Sequence, residues 1–454
     1  MRVTASRENR LFAPRPKPAP PVTTPSLARA WYSVGVLFAV YILSFVDRQM
    51  VNLLVEPIRA DLRVSDTEIS LLQGFAFAVF YTFMGLPIAW AADNYRRPAI
   101  IGAGLFLWSV MTALCGVARS FPGLFLARIG VGVGEATLSP AALSFIADAF
   151  PRDKVVRAVG LFASAQSVGG GIALIVGGAV IASVSQPGHA GFALPLVGVL
   201  KPWQAAFMIV GLAGLPFLAL VATLRDPPRA AVTAETADTG AFLAHLGHTR
   251  RFLAFVLGGQ VLTTIAGYSS QGWFPTLFVR VHGVPIAEVG LIVGGSIAVF
   301  GTLGLLLAAR ISELLARRGR RDGIMLVMSW GAIGIAIGNL VLAQGSLPAA
   351  IVGMMIMVGS NASAAIVPAT LQLTTPGRLR ARVTALMLFI LNLMGLGLGP
   401  TIVALTTDYV FHDPKAVGSS VALVGTICGL VAALLFRLGC RPYLKALDRM
   451  EALT

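Results

Sequence analysis

Twelve runs of about 20 mostly apolar residues, set apart by short polar stretches, constrain this chain more than any single residue does. They fall at about 31–55, 69–91, 98–118, 122–147, 157–184, 203–224, 252–280, 287–311, 323–344, 348–371, 382–408 and 417–437. At 1.5 Å per residue each run is long enough to cross the roughly 30 Å hydrocarbon core of a bilayer as a helix. With 56% apolar and 12% charged residues, the chain is too hydrophobic for a soluble protein of 454 residues. These features predict an all-α membrane protein with twelve transmembrane helices.

The net charge of +15 raises the question of an acidic or nucleic-acid partner, but its distribution reads as topology. With the N-terminus cytoplasmic, 27 of the 35 Lys/Arg fall on the cytoplasmic side and six on the other: Arg59, Arg63, Arg119, Lys201, Arg280 and Lys415. That asymmetry predicts cytoplasmic N- and C-termini and a multi-pass protein of the cell (inner or plasma) membrane. No nucleic-acid partner is expected. Residues 1–30 hold six Lys/Arg and a Pro-rich stretch, lack a signal-peptide core, and read as a disordered basic cytoplasmic tail. Residues 438–454 read as a cytoplasmic C-terminal tail. Cys115, Cys428 and Cys440 show no paired spacing, so no disulfide, metal site or cofactor is suggested. A monomer is expected.

Six runs precede the polar stretch 225–251 and six follow it, which divides the chain into bundles at 31–224 and 252–437 with a cytoplasmic linker between. Asp93–Arg97 after the second run matches Glu313–Arg318 after the eighth, 220 residues on, and Arg157 matches Arg382, 225 residues on. Two anchors at nearly one offset indicate a duplicated six-helix unit, the arrangement in which transporters place a site between two rocking bodies.

Four charges lie inside these runs: Asp47 and Arg48 in the first, Arg128 and Glu135 in the fourth. Unpaired at mid-membrane they would cost roughly 10–14 kcal/mol together, so they must pair, face water or titrate. Arg128 and Glu135 are two helical turns apart and share a face, whereas adjacent Asp47 and Arg48 point about 100° apart. Gly130, Gly132 and Gly134 leave room for a close helix or for a ligand. The histidines, His189, His245, His248, His282 and His412, all fall in loops, so proton coupling would rest on Asp47, Glu135 or both. The second half carries only neutral polar groups at depth, among them Tyr268, Gln271 and Trp273 on helix 7 and Asn361 on helix 10. Those four, with Arg48, Arg128 and Glu135, are the candidate substrate-binding residues. A cavity ionic on one side and apolar-aromatic on the other suits an amphipathic anion, with its head group on Arg128 or Arg48. Small organic acids would also suit two arginines. No Gly-Lys-Ser/Thr phosphate loop, nucleophile elbow or metal-spaced Cys/His cluster is present, which disfavours an ATP-driven pump or a membrane enzyme.

The stretch Ala89–Arg97, its second copy around Glu313, and Arg128–Gly134 resemble motifs of the major facilitator superfamily (MFS). The likeness runs from about residue 31 to 437, with Ala89 and Asn94 departing from the loop 2–3 pattern. The helix 5 glycine pattern is matched only loosely, at Gly169–Gly178. Val46-Asp47-Arg48, Gly134–Pro140, Ile146–Pro151, Gly272–Pro275 and Gly395–Pro400 resemble the Spinster-type branch, although anion:cation symporters share the first elements. The resemblance implies two pseudo-symmetric six-helix bundles with helices 1, 4, 7 and 10 around a central cavity. It implies lysophospholipids or sphingoid phosphates as substrates, which, with the mid-membrane acids and the duplicated halves, points to a proton-coupled secondary transporter working by alternating access. The alternative is a carrier of small organic anions or drug-like efflux substrates. It also implies cytoplasmic gate contacts between Asp93 and the start of helix 11 near Arg382, mirrored by Glu313 and Arg157, with Arg97 and Asp148 joining that belt. On the outer side an Asp61–Arg280 latch is expected. The partners expected are an amphipathic substrate, protons and membrane lipids.

Overall fold

The computed structural model describes residues 26–185, 192–194, 198–229 and 239–452. Among them are twelve helices long and apolar enough to span a membrane: α1 Leu27–Leu53, α2 Asp66–Asn94, α3 Arg97–Cys115, α4 Phe121–Ala149, α5 Asp153–Val184, α6 Pro202–Ala222, α7 Thr239–Arg280, α8 Ile286–Arg317, α9 Gly323–Leu342, α10 Leu347–Thr374, α11 Gly377–Phe411 and α12 Pro414–Glu451. A hairpin of β1 (Phe192–Leu194) and β2 (Gly198–Leu200), which the apolar pattern does not reveal, lies between α5 and α6. Large apolar side chains such as Leu303, Leu307, Ile337 and Leu434 stand exposed on the outside, as a lipid-facing surface requires.

Three differences from the sequence reading concern polar segments. α7 begins at Thr239, so the later part of the 225–251 stretch is helical, and His245 and His248 sit on that helix instead of in a loop. Polar composition did not prevent helix formation, and Phe242 and Leu246 pack against the second bundle's core. α12 likewise continues through residues expected to form a tail. His282 and His412 lie in turns, while His189 and residues 1–25 and 230–238 fall outside the described residues.

The duplication is visible in backbone detail. Ser120 and Ser346, 226 positions apart, each cap a helix by accepting a backbone N–H, from Gly123 and Ala349, with proline two residues later. Five-residue π turns interrupt α2 at Leu71–Phe75 and α8 at Ile297–Gly301, again 226 apart, and α11 carries another at Asn392–Leu396. Within the first half α1 packs on α5, α3 on α4 and α6, and α2 on α4; within the second, α7 and α9 pack on α12, and α9 on α10. Across the halves α5 meets α8 and α2 meets α11. The α5–α8 crossing is a glycine contact: a Cβ on Gly171 would stand 2.6 Å from the Gly294 carbonyl oxygen, and one on Gly294 would stand 2.5 Å from that of Gly171.

Candidate functional site

The charged cluster is held where α1, α2 and α4 converge. Arg48 Nε donates to Glu135 Oε2 at 2.6 Å; the Glu135 side chain is fully buried and that of Arg48 retains 19% exposure. This pair therefore forms part of a wall that water reaches from the arginine side. Three rings surround the guanidinium, with Cζ 4.5 Å from the Phe77 centroid and 5.2 Å from those of Phe45 and Tyr81. Cation–π contacts contribute about 0.5–2 kcal/mol each, so the rings help to hold a cation in a site otherwise short of counter-charge. Phe77 and Tyr81, one helical turn apart on α2, are site residues that charge-based reading passed over; their i, i+4 aromatic spacing was the available signal.

Asp47 and Arg128 are both buried, yet they do not form a direct ion pair. Arg128 Nη1 donates to the backbone carbonyl of Asp47 at 3.5 Å, and its Cζ lies 6.0 Å from the same Phe77 ring. Asp47 Oδ1, Arg128 Nε and Glu135 Oε1 have no hydrogen-bond partner among the described residues. Buried polar atoms left this way cost about 1–3 kcal/mol each, more when charged, so the cluster stores unsatisfied capacity that a proton, water or ligand can relieve. The glycines of α4 do not leave ligand space. A Cβ on Gly132 would meet the Phe77 carbonyl at 2.9 Å and one on Gly134 the Trp108 nitrogen at 2.7 Å, so α2 and α3 fill that face.

The second half contributes neutral groups. Asn361 ends the straight part of α10, just before a 3-10 turn at Ala362–Ile366, 226 positions after Glu135, which itself precedes the loosened turn of α4 at Ala136–Thr137. An amide thus stands in one repeat where the other has the carboxylate. Its Oδ1 is buried and unpartnered, and its amide lies over Gly267 of α7. Tyr268 and Gln271 are half-buried, with Gln271 Nε2 reaching towards Gly170 of α5 across the halves. Trp273 departs from expectation: it is fully buried, and its Nε1 donates to the Pro400 carbonyl at 2.9 Å, joining α7 to α11 instead of lining a cavity. Among the described residues no group of three His, Cys, Asp or Glu is placed to hold a metal ion.

Ionic contacts between the halves gather at the end of the bundle remote from Ser26 and Ala452. There Arg280 makes a bidentate pair with Asp66 at 2.6 and 2.8 Å, donates to Glu56 at 2.6 Å, and reaches the Pro414 carbonyl at 3.0 Å. The backbone N–H and hydroxyl of Thr67 both donate to Asp408, and Gln73 donates to the Gly272 carbonyl. The expected Asp61–Arg280 latch is not formed. Asp61 instead accepts from Lys201 and from Trp203 Nε1 within the first half, and Arg280 is already occupied by Glu56 and Asp66.

At the opposite end the expected gate belt is open. Asp93 is exposed and makes no ion pair among the described residues, and Arg382 stands over Phe242 at 5.9 Å. Glu313 pairs with Arg310 and Arg317 of its own helix, and Arg157 lies over Trp31. These contacts are local because the halves meet near the other end. Arg97 and Asp148 do pair, at 2.5 Å, but inside the first bundle, where the buried Arg97 also binds Asp226 at 2.7 Å.

Comparison with known proteins agrees with this architecture. The family model described as Major Facilitator Superfamily matches residues 37–400. An "MFS-type efflux pump" of Mycolicibacterium smegmatis is 30% identical over 91% of this chain and 94% of its own length. Protein spinster homolog 1 of Xenopus laevis is 27% identical over 85% of this chain and 74% of its length. A crystal structure of a bacterial homolog to the human lysosomal transporter Spinster, inward-facing and unoccupied, superposes with a TM-score of 0.77 and 26% identity, covering 93% of this chain and 99% of that one.

Proposed function

This chain belongs to the Major Facilitator Superfamily as a Spinster-type, multi-pass secondary transporter, and from that premise we propose that it couples protons to the movement of an amphipathic anion by alternating access. The observation that carries the reading is the Arg48–Glu135 pair, one partner buried and the other at a water-accessible wall inside a ring of aromatic side chains. Protonating Glu135 removes the counter-charge of Arg48 and frees its guanidinium for an anionic head group. Asp47, buried near Arg128 without a direct pair, is the second proton candidate. An acyl tail would then run along the neutral second half past Tyr268, Gln271 and Asn361. The cross-half contacts support a resting state open at the end that carries the termini, in which Asp93 and Arg382 are apart and close only in the other state.

The efflux pump's similarity favours one further reading, export of drug-like molecules through the same site. Proteoliposome transport under an imposed pH gradient separates these readings, using lysophospholipid, sphingoid phosphate, a small dicarboxylate and a lipophilic dye in parallel. Gradient-driven lysolipid flux lost in Glu135→Gln or Asp47→Asn is the expected result. If both variants keep full gradient-driven flux, proton coupling through these acids is wrong.

A further inference from the structure

α9 and α12 run in opposite directions and touch closely at mid-length. The Ser329 hydroxyl donates to the Ala433 carbonyl at 2.9 Å, and a Cβ on Gly429 would stand 2.7 Å from the Ala332 carbonyl. On the exposed side of that contact α9 and α12, with Leu315 of α8, line a groove of about 560 Å³ on the outer surface of the second bundle. Its walls include Trp330 and Ile333 from α9 and Leu430 and Leu434 from α12, between 41% and 57% exposed. Two arginines, Arg320 and Arg437, complete the lining, which contains no acid.

The two arginines differ. Arg320 is held by Asp322 through two hydrogen bonds of 3.0 and 3.2 Å, whereas Arg437 makes no ion pair among the described residues. Arg441 and Lys445 follow Arg437 at one-turn intervals on the face that carries Leu430 and Leu434, and neither has an ion pair among the described residues. The helix Val417–Glu451 spans 35 residues, about 52 Å, against roughly 30 Å of hydrocarbon. One face of α12 therefore passes from greasy to basic beside the groove, before reaching Asp448, which is paired with Arg321.

We propose that this groove binds an anionic phospholipid, with an acyl chain against Trp330, Ile333, Leu430 and Leu434 and the phosphate at Arg437 and Arg441. Basic pockets between transmembrane helices recognise such head groups by charge and by depth. A second copy of the chain fits poorly, since it would set Arg437 and Arg441 against their like-charged counterparts. The site is also separate from the Arg48–Glu135 cluster, being on the outside of the other bundle, so it is independent of which substrate is carried.

The test uses the purified full chain with phosphatidylglycerol or phosphatidylcholine, bound lipids being counted by native mass spectrometry. Wild type should retain phosphatidylglycerol in preference to phosphatidylcholine. At about fivefold per basic residue, Arg437→Gln/Arg441→Gln should lose roughly twentyfold or more of that preference, while the double lysine variant keeps most of it. Equal melting temperatures in phosphatidylcholine establish that the glutamine variant is folded. Trp330→Ala should weaken retention of both lipids by removing the groove wall. Equal retention of the two lipids by wild type, or an unchanged preference in the glutamine variant, overturns the proposal. So does disulfide crosslinking of Trp330→Cys between two copies in phosphatidylcholine nanodiscs, which would assign the groove to a second chain.

Discussion

Replacing Arg280 with glutamine should open the end of the transporter that is closed in this structure. Arg280 joins the halves through Asp66, whose side chain is fully buried, and through Glu56, which is a third exposed. The exposed pair contributes at most about 1 kcal/mol. Stranding a buried carboxylate costs about 3–5 kcal/mol. Two features reduce that cost: Arg59 remains 3.4 Å from Asp66, and Asp66 sits in the first turn of α2, where the helix dipole favours an anion. We therefore take the lower end, about 3 kcal/mol, which is roughly a hundredfold change in the ratio of closed to open forms of this end. The cost falls on the closed state alone, because only there do Asp66 and Arg280 meet. Double electron–electron resonance between labels at Arg63→Cys and Lys415→Cys, with the native cysteines replaced, reads the ratio directly. Arg280→Gln should move most of the population to longer distances. Adding Asp66→Asn removes the stranded charge and should bring part of the population back. An unchanged distance distribution in folded Arg280→Gln protein would refute the assignment of this cluster as the latch between the halves.

Asp61→Asn should leave those outer distances as they are and cost less than about 1 kcal/mol, because Lys201 is largely exposed and both partners of Asp61 lie in its own half; the same labelled pair checks it. Trp273→Phe should lower thermal stability by about 0.5–1.5 kcal/mol, through loss of the hydrogen bond to the Pro400 carbonyl, while substrate affinity measured by fluorescence titration stays at the wild-type value. Arg97→Ala strands Asp226 in the first bundle and should cost about 3–5 kcal/mol, seen as a fall in the temperature of aggregation; lysine restores it only in part, lacking the fork that reaches Asp148, Asp226 and the Pro227 carbonyl together.

The spans and the duplication were legible because both depend on long-range hydropathy and repeated punctuation, which sequence records directly. What escaped was pairing. Glu56, Asp61, Asp66 and Glu68 are near-equivalent acids on paper, and only the folded chain shows that Glu56 and Asp66, on either side of the left-handed residue Arg63, reach Arg280 while Asp61 does not. Arg97 reads as a loop charge until Asp226, 129 residues later, is folded against it. Trp273 reads as a cavity aromatic because nothing in sequence announces that its N–H meets the carbonyl of Pro400. The helical start of α7 and end of α12 were missed since hydropathy measures membrane residence, while helix formation asks only for propensity and a packing face.

The π turn at Leu71–Phe75 gives α2 a further property. Such a turn carries one residue more than the α-helix around it, and one residue is about 100° of rotation. Above it, Asp66 and Thr67 are bonded to the second half; below it, Phe77 lies against both guanidiniums. Deleting any one residue of the five would let the helix close up as regular α, swinging Phe77 away from Arg48 and Arg128 while the contacts above stayed in place. The number of residues in α2, more than their identity, is what keeps its two ends in phase.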